Sequence, residues 1–503
     1  MNFQQYKWSK NPRGLHNNPT PAHIYLDRYV SSHMGLAKLV AEGDEYVKFI
    51  RPLIDHGVTP IVRIFTGSKG STPPPDIWDN YIDEYMAQGV LWFEIYNEPN
   101  QPVEWSAFGQ AVDLNYHNVD GVIGPVMDGW LDWADKIIRK GAYPAFPALT
   151  ETADPNLATI PWLDAEFKYL SQTADTRFRT IVDNGMWFAT HPYLFNHWYQ
   201  EPDGGPSYLA RPAANDNANE GGWHFEYPYD PLQQHRDPGR TVFGGTALTP
   251  YGDPNGLLNT AVASQQLLAK YFGMGPVPVI GTEGGIDVPK DNRPLRLDNR
   301  YPAYDLQSHA EGTMAMWDWI VTTGPAWFFG LTLWLEDDYF FGDGTPIPAM
   351  QRMIDKIPLS KTVLSIDTSS GRSYPITEEN PQASSGGGAP AAVPGPGPIN
   401  GSPDYHWMVL APGLQADWFF SAARKYWQTF RPTVLTDWRL IRDVPASKAL
   451  AVTVLARTDT IDYLNKRIRD TWPNIYYDAV VYDSLDQMQA ELDRRADALK
   501  RFG

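Results

Sequence analysis

The chain has 503 residues, more than one hydrophobic core usually serves, so a large domain with a smaller companion is expected. Its 43% hydrophobic and 20% charged residues suit a soluble globular protein. A net charge of −18 with no basic run excludes nucleic acid as a partner, and the lack of cysteine excludes disulfides, thiolate zinc sites and a cysteine nucleophile.

Residues 1–360 alternate strand-like and helix-like segments. The strand candidates, in order, are RGLHNN from Arg13, HMGLAKLV from His33, TPIVRIFT from Thr59 and VLWFEIYNEP from Val90, then PAFPALTE from Pro144, GMWFATHPYLF from Gly185, VPVIGTEGG from Val277 and WFFGLTLWLED from Trp327. Helical patterns lie between them. In DEYVKFIRPLIDHG, for example, Tyr46, Val47, Ile50, Leu53 and Ile54 recur on one face and Gly57 closes the segment. EFKYLSQTADTRFRTIVDNG and NTAVASQQLLAKYFGMG read the same way. Eight such units predict an α/β fold, a (β/α)8 TIM barrel, and near-continuous apolar strands favour a parallel sheet covered on both faces. The alternative, a doubly wound open sheet, would carry a Gly-rich phosphate fingerprint after an early strand, and none is present.

A long insertion follows strand six, from about His197 to Asn259, and includes Trp198, Trp223, Tyr227 and Tyr229. On a barrel it belongs at the C-terminal rim, where active sites are built. Residues 361–403 form a linker region whose core, SSGGGAPAAVPGPGPINGSP, has almost nothing to bury. Residues 404–503 alternate again: YHWMVLAP, PTVLT, ALAVTVLA and IYYDAVVYD as strands, QADWFFSAARKYWQTF, DTIDYLNKRIRDTW and LDQMQAELDRRADALKRF as helices. That pattern predicts a small doubly wound α/β domain of unassigned role, with Trp418, Phe419, Tyr426 and Trp427 as a packing face.

Two acids stand out. Glu98 ends strand four in IYNEPN and Glu283 ends strand seven in IGTEGG. In a closed barrel these strand ends face one another across the mouth, the arrangement that glycoside hydrolysis needs: one carboxyl to donate a proton to the leaving oxygen, the other to attack or to activate water. Nineteen Trp and 27 Tyr supply flat faces suited to stacking on sugar rings.

IYNEPN and IGTEGG resemble the acid/base and nucleophile motifs of clan A glycoside hydrolases, the retaining enzymes typified by families 5 and 39. The resemblance spans about Pro12 to Ile357. It implies Glu98 as general acid/base, Glu283 as nucleophile and Asn97 as a partner of the sugar 2-hydroxyl. THPYLF resembles the His-x-Tyr pair that several of these families place near the nucleophile, which implies His191 and Tyr193. Trp334 resembles the tryptophan flooring the first sugar subsite. The expected function is therefore a retaining β-glycoside hydrolase needing no cofactor. A transglycosidase on the same site and a non-catalytic glycan-binding protein, its acids well beyond 10 Å apart, are the alternatives.

The chain departs from the clan pattern at one place. An arginine is expected near the end of strand two, and the nearest candidate, Arg63, lies in strand three. Period-two alternation points Glu94 inward, so Arg63 is expected to pair with it inside the barrel, ahead of contacting substrate. His191 reads as a ligand contact or as a histidine bonded to backbone. Trp105 reads equally as a loop anchor or as a sugar platform. The loop EDDYFFGDG, Glu336 to Gly344, lacks EF-hand spacing and reads as a solvated rim rather than a calcium site. Neither a zinc motif, a nucleophile elbow nor a Walker loop is found. No apolar run spans a membrane, and MNFQQYKWSKNP lacks the core of a signal peptide. Compartment and oligomeric state stay open.

Overall fold

A computed structural model describes residues 3–361 and 403–502, less several stretches, the longest being 67–73, 107–111, 201–222 and 442–449. It divides into two compact units, Met1–Glu378 and Glu379–Gly503. The expected linker lies almost wholly outside the described residues, as do Tyr229 and Trp418.

The first unit is a closed parallel barrel of eight strands: β1 (Arg13–His16), β2 (Leu36–Ala41), β3 (Thr59–Ile64), β4 (Trp92–Ile95), β5 (Tyr143–Phe146), β6 (Trp187–Thr190), β7 (Val279–Gly281) and β8 (Phe328–Leu333). Each pairs with its sequence neighbour and β8 closes on β1. Six of the eight strands sit within the segments read from the sequence, and β2 and β5 each run one residue past theirs, at Ala41 and Tyr143. A helix follows every strand, from Leu26–Ser31 after β1 to Pro348–Asp355 after β8. The segment read as one helix from Glu166 is two, Thr159–Thr173 and Asp175–Asp183, broken at Ala174.

Strand alternation sorts the barrel into layers. Outward residues such as Leu39, Val62 and Phe93 pack against the helices. Inward residues at the N-terminal end are apolar: Leu36, Ile61, Trp92, Ala145, Trp187, Ile280 and Phe329. The N-terminal segment plugs that end, with the Tyr6 ring 5.5 Å from Trp92 and 4.9 Å from Tyr143, and Trp92 lies 5.3 Å from Trp187. Two residues further along, the inward positions become Lys38, Arg63 and Glu94, so one pleat separates an aromatic floor from a charged mouth.

In the insertion, Trp198–Gln200 pairs antiparallel with Trp223–Phe225. Trp198 is fully buried, close against Gly312 and Tyr304, so it serves packing. The second unit has four parallel strands, β9 (Tyr405–Leu410), β10 (Thr433–Leu435), β11 (Leu450–Arg457) and β12 (Tyr476–Tyr482), in the order β10-β9-β11-β12. Separate apolar clusters cover its two faces, one with Tyr426, Met488 and Leu492, the other with Ile461, Leu464 and Ile468, which makes it doubly wound. No helix among the described residues is long and apolar enough to cross a membrane.

The aromatic floor carries a prediction. Trp92→Ala should lower the free energy of unfolding by about 3–5 kcal/mol, read by chemical denaturation, because the ring fills a closed barrel end that cannot collapse around the vacancy.

Candidate active site

The backbone delivers two acids to the mouth. Beyond β4, Tyr96 and Glu98 both hold positive φ, 63° and 35°, a strained state for residues with a Cβ. The loop is pinned just beyond the strain. The Asn100 amide donates to the carbonyls of Thr150 (2.8 Å) and Leu157 (3.0 Å), and the Trp105 indole donates to the Pro99 carbonyl at 2.8 Å. Trp105 is only 3% exposed, so of its two expected roles it takes the loop anchor, and the sugar-platform reading is corrected. Beyond β7, Gly284 has φ 136°, and a Cβ there would come within 2.4 Å of the Pro192 carbonyl. Only glycine lets the Glu283 exit pass that close to the His191–Tyr193 segment.

Glu283 is 4% exposed and surrounded by donors. Arg63 Nη1 donates to Oε1 at 2.6 Å and Tyr193 Oη to Oε2 at 2.8 Å, while His191 Nδ1 lies 3.8 Å from Oε2. Burial alone would favour the neutral acid. The His191 and Arg63 cations outweigh it and hold Glu283 well below the usual carboxylate range. The Tyr193 phenol moves the other way, its value raised by burial and by Glu283, so it stays a donor.

Glu98 is more open, its side chain 15% exposed against 5% for Glu283. Its Oε1 receives His191 Nδ1 at 2.6 Å. Ligand atoms of Glu98, His191 and Glu283 all lie within 4.8 Å of one another, so the two carboxylates converge on one small space. The triad suits a cation poorly. His191 is driven up to about 9, burial being outweighed by Glu283, Glu94 and Glu98, and Arg63 already occupies Glu283. An imidazolium offers no lone pair to a metal.

Arg63 does not pair with Glu94, correcting the sequence expectation. The two are register partners across β3 and β4, but Arg63 reaches outward to Glu283 and to the Asn97 side-chain oxygen. Glu94 is taken by Lys38, whose Nζ donates to Oε2 at 2.6 Å with both side chains fully buried. Lys38 would otherwise be a solitary buried cation. Burial opposes ionisation of Glu94, yet Lys38 brings it down to about 2. Arg63 thus reaches from strand three to the nucleophile candidate, the support the clan pattern led us to expect from strand two.

Asn97 donates from Nδ2 to Glu104 Oε1 at 2.7 Å, which fixes its amide beside Arg63. Trp334, half-buried beyond β8, packs on His16 with ring centroids 4.5 Å apart, and its peptide bond to Leu335 is cis. His16 was missed in sequence. Its Nδ1 bonds the Asn17 carbonyl at 2.7 Å, and Nε2 lies 3.7 Å from Glu283 Oε1. Burial keeps it neutral, lowered to about 3, which leaves Nε2 as an acceptor beside the carboxylate. Lys38 and Glu104 were missed as well. The available signal was positional: His16 ends a strand, and Lys38 shares Leu36's inward parity. In the rim loop, Glu336 binds Arg28 at 2.9 Å, so this acid is not solvated as the sequence suggested.

The fold and site define a (β/α)8-barrel protein with a hydrogen-bonded carboxylate pair at its C-terminal mouth. No family model and no curated protein matches the chain. Among solved structures it is similar to a β-glucosidase from Exiguobacterium marinum, at 10% identity over 71% of this chain and 96% of that one, TM-score 0.28. It is similar also to a β-glucosidase from Thermotoga maritima in complex with cyclophellitol, at 13% identity over 62% and 75%, TM-score 0.31. An exo-β-1,4-mannosidase from Opitutaceae bacterium strain TAV5 aligns at 9% identity over 95% and 79%, TM-score 0.34. Similarity this low adds nothing to what the barrel itself establishes.

The charge state of His191 is testable through stability. Its value rises from 6.5 to about 9 on folding, so its contribution is full below 6.5 and is lost as pH climbs through 9. Thermal unfolding followed across that window should show a stability decline that His191→Gln removes.

Proposed function

We propose that the protein is a retaining β-glycoside hydrolase acting by double displacement. The observation that carries this reading is the approach of a Glu98 oxygen and a Glu283 oxygen to within 4.8 Å, from beyond β4 and β7, in unlike environments. A separation near 5 Å suits direct attack on the anomeric carbon, whereas inversion needs a gap of about 6.5–9.5 Å for a water. A glycan-binding protein with its acids far apart finds no support in this spacing.

The roles follow from the surroundings. Glu283, ionised and oriented by Arg63 and Tyr193, attacks the anomeric carbon. Glu98, the more open acid, protonates the departing oxygen and afterwards takes a proton from water as that water releases the sugar from Glu283. Asn97, its amide held by Glu104 and Arg63, is placed to meet the hydroxyl beside the reacting carbon. Trp334 offers the ring face. The substrate class is an oligo- or polysaccharide with β-linkages. A transglycosidase would use the same groups and be distinguished by transfer products when an acceptor sugar is added.

Hydrolysis of a panel of aryl β-glycosides and soluble β-glycans tests the reading. Wild type should cleave at least one member, and Glu283→Ala and Glu98→Ala should each lose about 10³-fold or more in kcat with an unactivated leaving group. With an activated aryl glycoside, whose leaving group needs no protonation, added azide should restore turnover, giving the α-glycosyl azide with Glu283→Ala and the β-glycosyl azide with Glu98→Ala. Full activity in either variant would remove that residue from the mechanism.

A further inference from the structure

Two buried polar atoms beneath the carboxylate pair face each other without a hydrogen-bond partner: Glu94 Oε1 and His191 Nε2, 3.9 Å apart. The other ends of both groups are fully engaged. Glu94 Oε2 holds Lys38, and His191 Nδ1 holds Glu98 Oε1 at 2.6 Å. The result is a row that runs Lys38, Glu94, His191, Glu98 from the barrel interior to its mouth. Leaving a buried carboxylate oxygen and a buried ring nitrogen unpaired costs free energy unless they point at one another.

We propose that the Lys38–Glu94 pair is a positioning device that keeps the His191 proton on Nε2, so that Nδ1 is the nitrogen exchanging a proton with Glu98. The inference rests on the reading of Glu98 as acid/base. Lys38 and Arg63 balance Glu94 and Glu283, leaving one proton to be shared by His191 and Glu98. When it sits on Nδ1, an imidazolium faces a carboxylate. When it crosses to Glu98 Oε1, a carboxylic acid faces a neutral imidazole that keeps its Nε2–H. The net charge is zero in both arrangements, so the transfer creates no new buried charge. Glu98 is thereby recharged as an acid from a neighbour 2.6 Å away, and the proton taken from water in the second step returns to the same pair. Glu94 and Lys38 touch no substrate in this scheme.

The charged groups facing His191 are Glu94 from β4, Glu98 from beyond β4 and Glu283 from beyond β7, with Tyr193 two residues along its own segment. Lys38, Arg63 and His16 act through the carboxylates they touch or approach. Removing Glu94 deletes an anion from the Nε2 side, so the shared proton should leave at lower pH.

Two readouts test this. In wild-type protein labelled with 15N-histidine, with the His191 resonance assigned by loss in His191→Asn, the neutral ring above the alkaline transition should be the Nε2–H tautomer. In kcat/KM profiles on a hydrolysed aryl glycoside, Glu94→Gln should move the alkaline limb down by about 1–2 pH units, the effect of removing one opposite charge beside the imidazole. The double variant Glu94→Gln/Lys38→Met, which leaves no unpaired lysine, should move it in the same direction. An Nδ1–H tautomer, or a uniform loss of activity at every pH with the limb unmoved, overturns the proposal. Should no glycoside be hydrolysed, the proposed function falls, while the tautomer measurement on wild type still decides whether Glu94 orients His191.

Discussion

Everything at the barrel mouth depends on charge cancellation in a place that water barely reaches. Lys38, Arg63 and His191 face Glu94, Glu98 and Glu283, and of these six only the Glu98 side chain exceeds one-tenth exposure. A buried ion without a partner costs several kcal/mol, so each cation must find its carboxylate. That requirement settles which partner each takes. Lys38, whose register partner on β3 is Ile61, two residues before Arg63, takes Glu94. Arg63, one pleat higher, is released to bind Glu283 and the Asn97 oxygen.

The same arithmetic separates the two acids. Glu283 receives a guanidinium and a phenol and is fixed as an anion, whereas Glu98 shares a single imidazole and keeps an open side. Two carboxylates within 4.8 Å repel when both are ionised, and His191 between them absorbs that repulsion. On the proposed reading, the nucleophile and the acid differ because their neighbours differ, not because their chemistry does. The strained Tyr96–Glu98 backbone is held by contacts made elsewhere, chiefly those of Asn100 and Trp105.

Much of this was legible in the sequence. Strand ends advertise themselves where apolar runs break into unlike residues, as in FEIYNEPN and PVIGTEGG, and the eight-fold alternation needs no tertiary knowledge. Glu98, Glu283, His191 and Tyr193 do converge. Side-chain reach was not legible. Inward parity on adjacent strands suggested that Arg63 pairs with Glu94, but the long guanidinium leaves its own layer and a lysine from β2 fills in. Lys38 was overlooked because LAKLVA reads as an apolar strand with one accidental charge. Its inward parity with Leu36 becomes visible only once the barrel is closed. Trp105 showed the opposite limit: a tryptophan close to a motif looks like a platform, and only its burial assigns it to packing.

As the proposed nucleophile, Glu283 forms a covalent bond to the sugar. The most direct measurement is intact-protein and peptide mass spectrometry after incubation with an activated 2-deoxy-2-fluoro-β-glycoside of whichever sugar the panel shows to be cleaved. The expected result is one added fluoroglycosyl group, on the peptide containing Glu283 and absent from Glu283→Gln. Turnover that releases a product of inverted configuration with no adduct, or an adduct on another residue, would contradict it.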